Sequence, residues 1–270
     1  MLRQTLDAFA RSSPRFRRLM MRTWYESLVK LDRDKDITFM NYGYSDLEAN
    51  GDAPSLNESE QLNRYSIQLY HHVAAAVDLR DKDVVEIGSG RGGGAAYISS
   101  NLKPKTMLGI DISRNAVDFC NNYYSNGDLS FSHGDAEKIP LADATVDAVV
   151  NLESSHCYGS MMQFLSEVRR ILRPGGYFLF SDHRDQHRTQ ALREQLKDAG
   201  LEVERETDIT TNVVRALELD NDRKQQMIKR KCPKMLRKEA GEFAALKGTR
   251  TFASFKSGES RYLSFVLRKN

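Results

Sequence analysis

Cysteine is scarce in this 270-residue chain. Cys120, Cys157 and Cys232 make neither a disulfide framework nor a metal-binding spacing, so a reducing compartment, the cytoplasm, is expected. No cluster of His, Cys, Asp or Glu has convincing metal-ligand spacing, and no metal is expected. Apolar runs long enough to span a bilayer are missing. Acids are missing from two stretches. Residues 1–22 hold six arginines against Asp7 alone, and residues 223–238 hold eight lysines and arginines with no acid. The net charge is only +3, so the asymmetry is local. It suits an anionic surface or an anionic substrate, or else two solvated helix faces. The remainder is an ordinary globular composition, 40% hydrophobic and 29% charged, long enough for one elaborated domain with ample core.

The stretch that is most informative runs from Asp83 to Tyr97. Val84, Val85 and Ile87 suit a buried parallel strand, and Gly88, Gly90, Gly92, Gly93 and Gly94 follow before a helical pattern opens. Strand, glycine loop and helix together read as the first unit of a nucleotide-binding α/β fold. The spacing of Gly88, Gly90 and Gly93 satisfies G-x-G-x-x-G, so a dinucleotide must be considered. Glu86, two residues before the first glycine, argues for a ligand with cationic groups instead. The E-x-G-x-G loop resembles that of class I S-adenosylmethionine (SAM) methyltransferases.

Residues 1–60 are expected to form an N-terminal cap. Phe16, Met20, Trp24 and Leu28 recur every four residues with arginines on the other sides, an amphipathic helix that suits peripheral contact with an anionic membrane. Phe39 to Tyr44 is aromatic and irregular. Residues 61–210 are expected to form the cofactor-binding core, 211–258 a basic helical insertion over the acceptor site, and 259–270 the last core strand. Within the core, a helix lies around Leu62–Ala76, and strands are expected at 83–88, 107–110, 129–132, 144–151, 177–181 and 201–208, with a seventh at 261–268. Arg173-Pro174-Gly175-Gly176 is expected to stop a helix and turn into the fifth strand.

This pattern resembles the Rossmann-like class I methyltransferase architecture: a seven-stranded, mostly parallel sheet with a reversed last strand. The strings V-V-N-L-E-S-S-H-C-Y at 149–158, L-N-R at 62–64, L-Y-H at 69–71, G-D-A-E at 134–137 and L-R-P-G-G-Y-F at 172–178 are similar to those of the phthiotriol/phenolphthiotriol dimycocerosate methyltransferases. The likeness covers about residues 55–185. It implies SAM as cofactor, held by Glu86, Gly88, Ser89, Gly90, Gly92, Asp111, Ile112, Asp135, Ala136 and Asn151. Asp111 is the acid for the ribose hydroxyls and Asp135 the acceptor for the adenine amine. It also implies O-methylation of a hydroxyl on a lipid or hydrophobic metabolite.

An alcohol acceptor needs a base. His156 lies just past the fourth strand, at the edge where open α/β sheets bind ligands, and is the expected base, with Glu153 orienting it or contacting the cofactor. Tyr42, Tyr44, Tyr65, Tyr70 and Tyr158 are expected to line the acceptor pocket. The expected partners are a lipid or hydrophobic acceptor, an anionic membrane and a second copy of the chain in a homodimer, with no nucleic acid. Two rival activities stay open: C-methylation of an isoprenoid or sterol-like acceptor, and an NAD(P)-binding oxidoreductase.

Overall fold

Strands of five to fourteen residues alternate with helices along the core, the pattern that builds parallel strands joined by helical crossovers. The computed structural model describes residues 37–47, 54–124 and 127–270. The arginine-rich N-terminal helix and the membrane contact expected of it lie outside those residues.

The sheet holds β1 (Asp83–Ile87), β2 (Thr106–Asp111), β3 (Leu129–His133), β4 (Val146–Leu152), β5 (Leu172–Asp185), β6 (Leu201–Asp208) and β7 (Ser260–Lys269). Their order is β3-β2-β1-β4-β5-β7-β6. Neighbours from β3 to β5 pair in parallel, while β7 runs against both β5 and β6. The expected fold class is therefore realised, with β7 alone reversed. The helices are α1 (Arg64–Ala74), α2 (Gly93–Tyr97), α3 (Arg114–Tyr123), α4 (Met161–Ile171), α5 (Thr189–Asp198), α6 (Thr210–Lys231), α7 (Arg237–Phe243) and α8 (Arg250–Ser257). Helices α6 to α8 fill the interval between β6 and β7. Among the described residues no helix is long and apolar enough to cross a membrane.

Side chains alternate across the sheet with the two-residue strand period. Val84, Val150, Leu179 and Val266 join α1, α6 and α8 on one face, and Val85, Val149, Phe178, Phe180 and Phe265 join α4 and α5 on the other. The fifth strand differs from expectation. It starts at Leu172 and ends at Asp185, because β7 pairs with it from Tyr177 to Asp185, beyond the end of β4. Residues 173–176 are taken up as a register slip opposite Val146–Ala148, with Gly175 at φ 77°.

Helix α1 crosses close to α2, and the approach depends on Gly94. A Cβ there would run into the ring of Tyr70, whose hydroxyl donates to Glu86 Oε1 at 2.7 Å. Gly94→Ala is therefore expected to lower stability by about 1–3 kcal/mol through overpacking, read as a lower urea midpoint at unchanged slope.

Candidate active site

At the carboxyl end of β1 the glycine loop doubles back onto β2. The N–H groups of Gly88 and Ser89 both donate to Ile110 O, at 2.7 and 3.1 Å. Gly88 sits at φ 77°, and a Cβ there would collide with the Ser154 side chain. The loop in turn fixes Asp111, whose Oδ2 accepts from Gly90 N and Oδ1 from Ser113 N, both at 2.8 Å. Burial pushes the Asp111 carboxyl above the usual carboxylate range, against those two bonds. Each oxygen keeps lone-pair capacity towards the adjoining cleft, which holds about 1180 Å³ with its mouth included.

Gly88, Ser89, Gly90, Asp111, Ile112, Asp135 and Ala136 all line this cleft. Asp135 is set by a tight turn in which its Oδ1 accepts from Glu137 N at 2.9 Å. Ser89 Oγ, on the cleft wall, has no hydrogen-bond partner among the described residues. Size, an unpartnered hydroxyl and two acids one strand apart fit a nucleoside-bearing ligand such as SAM. Three expected cofactor residues stand behind the wall. Gly92 (φ 77°) packs against Phe131 and starts α2. Asn151 Nδ2 lies 2.8 Å from Ile87 O and Ser154 Oγ and 2.9 Å from Tyr158 Oη, bracing the loop from below. Glu86 is fully buried; its Oε1 is held by Tyr70, its Oε2 makes no well-formed hydrogen bond among the described residues, and the backbone of Ala95 approaches the carboxyl. Burial pushes its carboxyl up to about 7, with the Asp111 charge adding to the rise.

Beyond β4 lies a second charged group. Glu153 has the left-handed backbone of φ 47°, unusual for a side chain of its size. Its Oε1 accepts from Tyr42 N at 2.8 Å and from Tyr262 Oη at 2.7 Å. Its Oε2 makes no hydrogen bond among the described residues, and the side chain lines the cleft. Burial raises its carboxyl to about 7; the Tyr42 and Tyr262 bonds and the His156 charge resist the rise.

His156 stands outside the cleft wall. Its Nδ1 pairs with Asp182 Oδ1 at 2.8 Å, and its ring lies 4.4 Å from that of His183. Burial opposes the imidazolium, but Cys157 and the Asp182 carboxylate outweigh it, and the His156 pKa lies well above the ordinary value. Asp182 is held low despite its burial, by His156 and by Arg184 at 3.1 Å. His183 is pushed down to about 3 by burial and the neighbouring His156 charge. His156, Asp182 and His183 offer ligand atoms within 4.8 Å of one another. Asp182, however, already accepts from Ser155 Oγ, the backbone N–H groups of His156 and His183, and Arg184. The arrangement is an ion-pair network.

A backbone strap, residues 37–45, crosses the site. It is tied by Gly93 N to Thr38 O, Tyr42 N to Glu153, Lys224 Nζ to Tyr42 O (3.1 Å) and Ser45 N to Asn212 O. A second cavity of about 970 Å³ lies beyond it, against α6 and α7, and shares Phe39, Met40, Asn41 and Arg91 with the first. The five tyrosines expected together in an acceptor pocket are dispersed. Tyr70 and Tyr158 line the first cleft and Tyr42 the second cavity. Tyr44 stacks on His72 at 4.5 Å in a separate surface hollow, and Tyr65 lines none of the three. The strap takes the backbone of Tyr44 to Tyr65 O, which spends both residues on anchoring.

Sequence reasoning missed Asp182, Tyr262 and Lys224. Asp182 follows the apolar run F-L-F-S at a strand's carboxyl end, the place such acids occupy, so a signal existed. Tyr262 comes from the beginning of the reversed strand, where that rule does not look. Lys224 looked like one more member of a basic helix and is 7% exposed.

Ionising Glu86 in the fold costs stability as pH rises from the unfolded carboxyl value through about 7, because the folded state binds the proton more tightly. Glu86→Gln should therefore raise the ligand-free stability by about 1–2 kcal/mol at pH 8 and by little at pH 5, read as melting temperature against pH.

The family profile described as a methyltransferase domain matches residues 85–180. A fatty-acid O-methyltransferase from Mycolicibacterium smegmatis is 40% identical over 216 residues, 79% of this chain and 77% of that protein. A phthiotriol/phenolphthiotriol dimycocerosates methyltransferase from Mycobacterium tuberculosis is 33% identical over 266 residues, 98% and 97% of the two chains. In fold, the chain superposes on geranyl diphosphate C-methyltransferase from Streptomyces coelicolor A3(2) with a TM-score of 0.70 at 17% identity, covering 94% and 98%. The glycine loop with Asp111, the strand order and these identities agree, and the dinucleotide oxidoreductase reading is set aside: the chain belongs to the class I SAM-dependent methyltransferases, in the family that includes the phthiotriol/phenolphthiotriol dimycocerosates methyltransferases.

Proposed function

We propose that this enzyme methylates an oxygen of a lipid or other hydrophobic acceptor, and that Glu153 takes the acceptor's proton. The observation that carries the reading is the Glu153 carboxyl: it lines the cleft, its Oε1 is immobilised by two donors, its Oε2 is left over, and its pKa of about 7 is matched to the work of a base near neutral pH. The names of the 40% and 33% identical relatives, and an apolar second cavity next to the cleft, support a lipid acceptor.

Bound SAM supplies a methyl carbon activated by its sulfonium. The loop and Asp111 hold the cofactor by its ribose, and Asp135 by its adenine. The strap and second cavity hold the acceptor, so that its oxygen approaches in line. As the new O–C bond formed, the bond between the methyl carbon and the sulfonium sulfur would break, leaving S-adenosylhomocysteine, and the hydroxyl proton would pass to Glu153 Oε2. His156 was the expected base, with Glu153 orienting it; the geometry favours exchanging those roles. An imidazolium paired with Asp182 has no vacant lone pair at neutral pH, and its positive charge lowers the proton affinity of Glu153.

Two measurements test this. Asp111→Ala should weaken SAM binding about 10- to 100-fold in calorimetry, through loss of charge-assisted hydrogen bonds. Single-turnover rate should rise as pH passes about 7, where Glu153 loses its proton. Glu153→Gln should lower the rate about 10²–10⁴-fold and flatten the profile. His156→Gln should keep the rise but move it to higher pH, since a positive neighbour is lost. A flat profile for His156→Gln with the rise kept in Glu153→Gln would restore His156 as the base.

A further inference from the structure

We propose that the turn between α6 and α7 docks the enzyme on an anionic phospholipid surface, with Met235 as its apolar tip. Met235 is 83% exposed, more than any other large hydrophobic side chain among the described residues. Lys229 and Arg230 at the end of α6, Lys234 beside Met235 and Lys238 at the start of α7 are exposed, and no acid occurs from Arg223 to Lys238. An apolar tip flanked in sequence by exposed cations matches a bilayer interface, where the methyl-bearing chain enters the acyl boundary and the cations meet phosphates. A nucleic acid or an acidic protein would satisfy the cations but leave the tip without a role.

The turn is preformed. Arg237 Nε donates to Cys232 O at 3.1 Å and Nη2 to Lys229 O at 2.7 Å, while Leu236 N closes onto Pro233 O at 2.9 Å. Docking therefore orders little new backbone. The same turn borders the second cavity: Lys231 and Cys232 are in its wall, together with Met227 and Ile228 of α6 and Phe243 of α7. A chain leaving the bilayer beside Met235 would enter that cavity and approach the strap. The purpose of the docking rests on the lipid-acceptor reading above; its test does not.

The full chain is sedimented with vesicles of phosphatidylglycerol and phosphatidylcholine, and with phosphatidylcholine alone. Binding is expected only to the former, falling with added salt. The fourfold variant Lys229→Gln, Arg230→Gln, Lys234→Gln, Lys238→Gln should bind about fivefold less tightly for each charge removed. Met235→Asp should weaken binding with the cations intact. Both variants should keep the melting temperature and SAM affinity of the parent. A fourfold variant that sediments like the parent overturns the proposal and moves any attachment elsewhere, residues 1–22 included. Equal binding to both vesicle types, or capture of an acidic protein or nucleic acid in place of vesicles, overturns it too. Turn-dependent vesicle binding without methylation of any lipid tried would leave the docking standing and count against the acceptor reading alone.

Discussion

One carboxylate oxygen ties the site together. Glu153 Oε1 accepts from a backbone N–H that lies 111 residues away in sequence and from a phenol 109 residues away. The strap, the end of β4 and the start of β7 meet at that atom. The low-dielectric surroundings that make the two bonds strong also make the charge expensive, which is why the carboxyl titrates near neutrality. Its left-handed backbone is sustained by the same contacts: the N–H of Glu153 itself donates to Ser181 O at 2.9 Å, so the residue is fixed from three sides. Loosening any of these segments would move the carboxylate.

Two carboxyls, Glu86 and Glu153, are both raised to about 7 and stand in different surroundings. Glu86 sits behind the glycine loop, held by Tyr70 and away from the cleft. Glu153 faces the cleft. Behind Glu153, His156 and Asp182 form an ion pair, and Arg184 adds a second cation to Asp182. The positive end of that network lowers the proton affinity of Glu153, while the neighbouring Asp182 raises it. The Glu153 carboxyl is thereby poised between opposing charges.

The parallel half of the fold was legible because it is local. β1, its glycines, Asp111 and Asp135 follow one another at the spacing of a strand–loop–helix unit, and Gly88, Gly90, Asp111, Ile112 and Asp135, all expected to hold a cofactor, line the cleft, while Glu86, Gly92 and Asn151 stand behind it. What escaped depends on long-range pairing. Tyr262 reaches the site only because β7 is reversed, and the extension of β5 to Asp185 exists only because β7 covers it. Which of Glu153 and His156 lines the cleft is a four-residue matter, and no periodicity fixes that in the short irregular segment after β4. Helix α8 had readable signals, Thr249 capping Phe252 N and Gly258 at φ 79°, within a stretch otherwise dominated by charge.

The partition between the two cavities is made largely of main chain. The strap hangs on backbone groups of Thr38, Tyr42, Tyr44 and Ser45, so its path is set by bonds that every residue type except proline can make. Side chains projecting from it, Phe39, Met40 and Asn41, face the space on both sides. A lineage of such enzymes can therefore exchange those three residues, and with them the shape offered to an acceptor, while the scaffold that aims the methyl group stays where it is. Selectivity and alignment are, in this architecture, separately inheritable.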